Sequence, residues 1–165
     1  MSYPVTPTYN PDLHVLEPEV FGDCRGFFFE SLNQKAFSQA TGLDEYFVQE
    51  NQSRCTQGVM RGAVFDMAVD IRKSSPTFGQ WAGVELTEDN HKQFLVPPDF
   101  AHGFAVLSET ADFLYKTTDY YTPAYERCIA CNDPSIAIAW HKGLVPMLSD
   151  KDHAGRLIGN AEVFA

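Results

Sequence analysis

His102 differs from the other histidines of this sequence in its surroundings. It lies in the segment VPPDFAHGF, where a proline-rich turn leads into a predicted strand and the small residues Ala101 and Gly103 leave room for a ligand beside the imidazole. A histidine satisfied within the core is the alternative interpretation. Tyrosines concentrate further along the chain, and a tyrosine beside a cavity can act as a general acid or as a stacking surface, although most tyrosines only pack. These tyrosines are Tyr115, Tyr120, Tyr121 and Tyr125.

Three basic residues in separate segments are candidates for binding an anion. Arg25 precedes Gly26 in DCRGFFFE, where the backbone can turn freely, and Glu30 is predicted on the same strand. The planar guanidinium group of an arginine suits a phosphate. Arg61 in MRG and Lys151 in SDKD could meet Arg25 at the mouth of a barrel, whereas each of them alone would be a solvated surface charge.

Metal and redox chemistry are not predicted. Cys128 and Cys131 form a C-x-x-C pair, but residues three apart on an extended strand face opposite sides, and no second pair of suitable spacing completes four ligands. The histidines occur singly, without the spacing that lets two imidazoles bind one metal ion. The sequence therefore predicts neither a metal ion nor a cofactor.

Length and composition favour one globular domain over residues 1–165. The chain is 44% hydrophobic and carries a net charge of −10, so as a whole it repels nucleic acid and anionic membranes, and an anionic ligand must meet local basic side chains. The N-terminal segment lacks a secretory signal, and no apolar run approaches the roughly 18 residues of a membrane span. Four cysteines without such a signal indicate reduced thiols and a cytoplasmic protein.

The elements that must position these residues are mostly short strands. Two-residue alternation is clearest over residues 63–71, where Asp66 and Asp70 lie on a face that points to solvent or to a polar cavity. One helix is predicted over residues 33–41, with Asn33 as its N-cap. Short strands without a βαβ rhythm indicate an antiparallel sandwich or barrel, such as a jelly roll. The other strands are predicted over residues 46–51, 79–87, 92–96, 103–107, 112–117, 128–131 and 136–140.

A series of motifs makes the chain similar to a known family. The segments DCRGFFFES, FVQENQS, MRG, VDIRKSSPTFGQW, QFLVPPDFAHGF, YKTTDYYTP and ERCIACNDPSIAIAW occur in this order, and the chain closely resembles the dTDP-4-dehydrorhamnose 3,5-epimerases. The resemblance implies an all-β, cupin-type jelly roll (double-stranded β-helix) with a few short helices. It also implies a homodimer that needs no metal, binds a dTDP-sugar and acts in making dTDP-L-rhamnose for bacterial surface polysaccharide.

The same resemblance implies roles for individual residues. Tyr121 matches the proton-donating tyrosine of the family, and Asp152 matches the aspartate that orients the catalytic histidine. Arg25 and Lys151 would bind the diphosphate. The remaining implied residues line the nucleotide region or the sugar end of the cavity, and they are Glu30, Gln49, Asn51, Arg61, Asp70 and His102.

One segment of the family's pattern is absent. In the family, MRG is followed by a leucine, the catalytic histidine, a loop and the active-site lysine, whereas this chain passes from Gly62 directly to Ala63. One hairpin of the jelly roll is therefore predicted to be missing, and loss of the base is expected to cost about 10²–10⁴ in rate. Epimerisation of dTDP-4-keto-6-deoxyglucose at C3 and C5 is the predicted function. The alternatives are a non-catalytic cupin that binds dTDP-sugars and a related sugar-nucleotide isomerase with another base, for which His102 is available.

Overall fold

The computed structural model describes residues 3–56, 60–144 and 147–165, and at residues 56, 60 and 61 it describes the backbone alone. These residues form mainly strands, together with the short helices α1 (Gln34–Thr41) and α2 (Asp150–His153). The all-β prediction is thereby confirmed. The strands are β1 (Val5–Pro7), β2 (His14–Leu16), β3 (Val20–Asp23), β4 (Gly26–Phe29), β5 (Gln49–Thr56), β6 (Met60–Arg61), β7 (Ala63–Asp70), β8 (Trp81–Thr87), β9 (Gln93–Leu95), β10 (Phe100–Val106) and β11 (Ser108–Thr117).

The described strands are arranged in three three-stranded sheets and one two-stranded ribbon. Strand β7 is the centre of the first sheet, antiparallel to β10 on one side and to β8 on the other. In the second sheet, β11 pairs with β5 in antiparallel and with the short β6 in parallel. Strands β1, β2 and β9 form the third sheet, and β3 and β4 form the ribbon.

Both faces of β7 are buried because different parts of the chain cover them. One face packs against the C-terminal segment in a cluster made of Met67, Val69, Ile71, Ile136 and Ile158. On the other face, Val64 packs with Ala111 and Phe113 of β11, so the first two sheets face each other here. Asp66 and Asp70 share this second face and are 3% and 0% exposed. Of the two environments predicted for these carboxylates, solvent is therefore wrong.

Helix α1 begins and ends close to where the sequence predicts. The side-chain oxygen of Asn33 accepts a hydrogen bond from the backbone N–H of Ala36 at 3.1 Å, which satisfies one of the unpaired N–H groups of the first turn. Gly42 follows the helix with φ of 73°, a left-handed conformation that glycine adopts readily. Phe37, which is 2% exposed, fastens the helix to the sheet of β1, β2 and β9. None of the helices in the described ranges is long and apolar enough to span a membrane.

The strands predicted over residues 128–131 and 136–140 do not form, so this part of the prediction is wrong. The chain instead turns around Asp133, whose carboxylate accepts hydrogen bonds from the backbone N–H groups of Ser135 at 2.7 Å and Ile158 at 2.6 Å. Ile129 forms only an isolated bridge with Arg156. Alternating hydrophobicity in this segment reflects packing against β7 and not membership of a sheet.

Candidate functional site

Three of the predicted site residues meet where strand β5 begins. The side-chain amide of Gln49 donates a hydrogen bond to the side-chain oxygen of Asn51 at 2.8 Å. Its oxygen accepts a hydrogen bond from the backbone N–H of Tyr121 at 3.2 Å. Gln49 therefore ties the loop that carries Tyr121 to the edge of the second sheet.

Glu126 links Tyr121 to Lys151. The Tyr121 hydroxyl donates to one carboxylate oxygen of Glu126 at 3.1 Å, and the Lys151 ammonium donates to the other at 2.7 Å. The Lys151 ammonium, assisted by the Tyr121 hydroxyl, holds the pKa of Glu126 below its usual range, and Glu126 in turn raises the pKa of Lys151. Tyr121 is 61% exposed, so a ligand can reach its ring. The sequence analysis missed Glu126, although this residue opens the motif ERCIACN.

Asp152 caps helix α2 and does not contact a histidine in the described hydrogen bonds. One of its carboxylate oxygens accepts from the backbone N–H of Ser149 at 3.0 Å and from the Ser149 hydroxyl at 2.7 Å, which forms a capping box. These bonds lower the pKa of Asp152. Its other oxygen lies 3.7 Å from the sulfur of Cys128, whose pKa is raised by burial and by this carboxylate. The orienting role implied for Asp152 therefore has no histidine partner here.

His102 pairs with Asp66, a carboxylate to which the sequence analysis gave no role. The imidazole Nε2 lies 2.6 Å from the Asp66 Oδ1. In the register of β10 and β7, His102 is directly opposite Ala68, so Asp66 is its diagonal neighbour on the same face. The side chain of His102 is 37% exposed and that of Asp66 is 4% exposed. A fixed, buried carboxylate therefore holds a partly open imidazole.

An aromatic row connects His102 with the Gln49 group. The imidazole stacks on the ring of Phe113, with ring centroids 6.3 Å apart, and the ring of Tyr115 follows 5.8 Å from that of Phe113. Tyr115 lies directly opposite Asn51 on β5, so these side chains share one face of the β5–β11 pair. His102 lies at one end of this face, and the hydrogen-bonded side chains of Gln49 and Asn51 lie at the other end.

Asp70, which the resemblance implies as a further cavity carboxylate, is engaged elsewhere. Its carboxylate accepts hydrogen bonds from Arg72 Nε at 2.9 Å and from the hydroxyls of Ser75 and Thr77, both at 2.6 Å. Burial alone would raise the pKa of Asp70, but these donors outweigh burial and hold it well below its usual range. These bonds occupy its oxygens and stabilise the turn after β7, and a cavity role for Asp70 stays an expectation of the resemblance.

The described contacts do not bring Arg25 or Glu30 to this site. Arg25 lies at the tip of the β3–β4 ribbon, where its guanidinium is 85% exposed and 2.6 Å from Asp23. The carboxylate of Glu30 accepts from the side chain of Asn33 at 3.3 Å, at the start of α1. The side chain of Arg61 lies outside the described residues. The predicted meeting of Arg25 with Lys151 is therefore not found within one chain.

The chemistry available at the site is proton transfer and anion binding. It offers an imidazole–carboxylate pair, an exposed phenol and an ammonium group, which are groups that move protons or bind phosphate. Among the residues that the structure describes, no group of three or more His, Cys, Asp or Glu side chains is arranged to hold a metal ion. All four cysteines carry free thiols.

Comparison with known proteins finds relatives over nearly the whole chain. The model of a family described as dTDP-4-dehydrorhamnose 3,5-epimerase matches residues 7–63 and 58–159. A protein of that name from Pseudomonas aeruginosa is 49% identical over 172 residues, covering 93% of this chain and 95% of the relative. Another from Salmonella typhimurium is 48% identical over 176 residues, covering 95% and 96%.

Solved structures give the same result for the fold. The dTDP-6-deoxy-D-glucose-3,5-epimerase RmlC from Legionella pneumophila, in complex with dTDP-4-keto-L-rhamnose, superimposes with a TM-score of 0.92 at 44% identity, covering 96% of this chain and 94% of that one. The dTDP-4-dehydrorhamnose 3,5-epimerase from Elizabethkingia anophelis gives a TM-score of 0.86 at 37% identity, with 97% and 98% covered. The cupin-type jelly roll implied by the motifs is therefore confirmed.

The alignments also support the gap expected after MRG. Residues 58–63 are used twice by the family match, as the end of its first part and as the start of its second. The alignment with the Pseudomonas relative spans 172 positions, whereas 93% of this chain's 165 residues is about 153, so about 19 positions of the relative have no counterpart here. At this joint only Gly62, with φ of 43°, separates β6 from β7.

Proposed function

The chain belongs to the dTDP-4-dehydrorhamnose 3,5-epimerase family, a family of isomerases in dTDP-rhamnose biosynthesis, and on this premise we propose how its site binds a dTDP-4-keto-6-deoxy sugar and inverts the carbons beside the ketone. The observation that carries the proposal is the hydrogen-bonded series from Gln49 through Tyr121 and Glu126 to Lys151. This series joins Tyr121, the candidate proton donor, to Lys151, the candidate residue for binding the diphosphate. The alternatives, a non-catalytic binding protein and a different isomerase, are not favoured by relatives that carry the epimerase name.

The reaction uses the acidity of hydrogens next to a carbonyl group. The C4 ketone acidifies the hydrogens on C3 and C5, so a base can remove either one and leave an enolate. A proton returned from the opposite face inverts the carbon. Tyr121 supplies this second proton in our proposal, because its hydroxyl is held by Glu126 while its ring is exposed.

Binding of the nucleotide depends on local cations, since the whole chain carries a net charge of −10. We assign the diphosphate to Lys151 and Arg25. We assign the nucleotide region to Gln49, Asn51 and Glu30, and the sugar end to His102 and Arg61. Lys151 gives up the carboxylate of Glu126 when phosphate oxygens reach it, because both bind the same ammonium group.

A dimer would explain why Arg25 lies far from the other site residues in one chain. Arg25 is at the tip of a ribbon whose Phe21, Phe27 and Phe28 are 45%, 61% and 61% exposed. A second subunit that covers these rings would bring Arg25 to a new surface. Homodimerisation is therefore part of the proposal, and each chain folds as one domain. A protein that sediments as a monomer at micromolar concentration would contradict the dimer. The cytoplasmic location stays a prediction.

The test of the proposed function compares product formation with ligand binding. Tyr121→Phe removes the hydroxyl and keeps the ring, so we expect conversion of dTDP-4-keto-6-deoxyglucose, followed by NMR, to fall by about 10²–10⁴. Stabilisation by dTDP should be unchanged. Tyr9→Phe is the matched control, since Tyr9 is 86% exposed and lies before β2. Equal rates for the two variants would refute the donor role of Tyr121.

A further inference from the structure

We propose that His102 is the base that removes the sugar protons in this chain, with Asp66 as its positioning residue. The inference rests on the proposed function, because it concerns the same substrate. It is needed because part of the family's pattern has no counterpart between Gly62 and Ala63, and the resemblance implies that this part holds the family's catalytic histidine.

The environment of Asp66 fixes the imidazole in one orientation. Asp66 lies in the middle of β7, where the backbone is held by Phe104 of β10 on one side and by Val84 of β8 on the other. Its carboxylate is 4% exposed and lies 2.6 Å from Nε2 of His102. A carboxylate with so little freedom keeps the imidazole ring from rotating away.

The same contact determines which nitrogen can accept a proton. When Nε2–H donates to the Asp66 carboxylate, the neutral ring carries its free lone pair on Nδ1. The hydrogen bonds formed by the described residues leave Nδ1 without a partner. The His102 side chain is 37% exposed, so a ligand can reach the imidazole. A buried carboxylate on one nitrogen and an open lone pair on the other is the arrangement of a general base.

A row of side chains on one face of the β5–β11 pair leads from His102 towards the loop that carries Tyr121. The aromatic row of Phe113 and Tyr115 leads from the imidazole to Asn51 and Gln49, and Gln49 holds the backbone of Tyr121 at 3.2 Å. His102 and the loop that carries Tyr121 therefore border the same face.

The other carboxylates of the site are less suited to this task. Asp152 is occupied by its capping bonds to Ser149. Glu126 accepts the hydrogen bond of the Tyr121 hydroxyl, the proposed proton donor, and it keeps this bond when phosphate draws Lys151 away. Of the carboxylates and imidazoles described at the site, the His102 ring combines a fixed orientation with an open acceptor.

The proposed step is balanced without a further reactant. The proton on C3 moves to Nδ1 of His102, the electron pair of the C3–H bond forms a C3=C4 double bond, and the ketone oxygen takes the negative charge. The enolate then collapses as the Tyr121 hydroxyl gives its proton to C3 from the opposite face. Water carries the proton from the imidazolium to the phenolate, which restores both groups, and C5 reacts in the same way.

Proton exchange tests the role of His102 directly. Wild-type protein and dTDP-4-keto-6-deoxyglucose in heavy water should incorporate deuterium at C3 and C5, observed by NMR. His102→Asn, which keeps a donor for Asp66, should lower this exchange by about 10²–10⁴ while stabilisation by dTDP persists. His102→Ala should behave likewise and regain exchange when imidazole is added. His141→Asn is the control, since the His141 side chain is 44% exposed and its Nε2 lies 3.7 Å from the carboxylate of Glu85 on β8.

Each outcome separates the base from the proposed function. Undiminished exchange in His102→Asn overturns the role of His102 and leaves the epimerase function standing. Loss of exchange together with loss of dTDP stabilisation makes His102 a binding residue and also overturns the proposal. Absence of exchange in the wild type refutes both. Loss of exchange with intact binding, restored by imidazole, supports it.

Asp66 requires a readout beyond the rate, because a buried carboxylate also stabilises the fold. Asp66→Asn should lower kcat for exchange while the KM for the sugar nucleotide stays near its wild-type value. The ¹⁵N signals of the His102 ring should change, because the charged partner of Nε2 is gone. Unchanged ring signals with wild-type kcat would overturn the positioning role.

Discussion

Replacing Asp70 by asparagine should destabilise the protein by about 3 kcal/mol. Asp70 is fully buried and accepts hydrogen bonds from Arg72, Ser75 and Thr77. Removing one member of a buried ion pair typically costs about 3–5 kcal/mol, because the other charge is left uncompensated. Arg72 is 27% exposed and keeps a second carboxylate, Asp12, at 2.7 Å, so the lower end of that range applies.

The effect of Asp70→Asn should depend on pH. The folded protein holds the pKa of Asp70 well below its usual range, whereas in the unfolded chain the carboxyl takes up a proton near pH 3.9. The stabilisation is therefore complete well above pH 4 and is lost progressively as the pH falls below it. The difference between wild type and variant should shrink in the same range.

Calorimetry, which measures Tm, tests this prediction. For a chain of this size about 1 kcal/mol corresponds to a change of about 2–4 °C in Tm, so Asp70→Asn should lower Tm by about 6–12 °C near pH 7. Asp12→Asn is the matched control, because its side chain is 47% exposed and such pairs contribute at most about 1 kcal/mol. If the two variants unfold at the same temperature, or if the gap between wild type and Asp70→Asn persists in acid, the reasoning is wrong.

Two further substitutions test packing and binding. Gly83→Ala would place a methyl group against the ring of Phe65 and 3.2 Å from the Asp66 carbonyl oxygen. Because Phe65 packs edge-on against Trp81 and Trp140, we expect the free energy of unfolding in urea to fall by about 1–3 kcal/mol. The control Gly159→Ala, with open space around its Cβ, should change it by less than about 0.5 kcal/mol, and equal effects would contradict the packing argument. Arg25→Ala should leave the Tm of the ligand-free protein unchanged but reduce the stabilisation by dTDP. For the wild type this stabilisation reaches about 2.7 kcal/mol at a hundredfold excess of dTDP over Kd. If dTDP raises the Tm of the variant as much as that of the wild type, Arg25 does not bind the diphosphate.

Local patterns in the sequence determined several elements correctly. The alternation over residues 63–71 predicts β7, which spans Ala63–Asp70. Asn33 predicts the start of α1, because a cap acts on neighbouring N–H groups within the same turn. The motifs were sufficient for the family, because they occur along the chain in the order that the family has.

Local patterns failed where a distant partner decides the structure. Residues 128–140 alternate in hydrophobicity as a strand does. However, the carboxylate of Asp133 accepts a hydrogen bond from the backbone N–H of Ile158, 25 residues away, and the segment forms turns around it. The ribbon of β3 and β4, with Arg25 at its tip, likewise has no described contact with the other site residues in one chain. A strand forms only when it pairs with another strand, and alternating hydrophobicity alone does not identify that partner.

The choice between Asp66 and Asp70 shows the same limit at the site. Both lie on one face of β7, and the register that sets His102 opposite Ala68 makes both of them its diagonal neighbours. The sequence determined the strand, its two faces and the presence of a histidine nearby. Only the tertiary structure decided the pairing, because the turn after β7 brings Arg72 and two hydroxyl groups to Asp70 and leaves Asp66 to bind the imidazole.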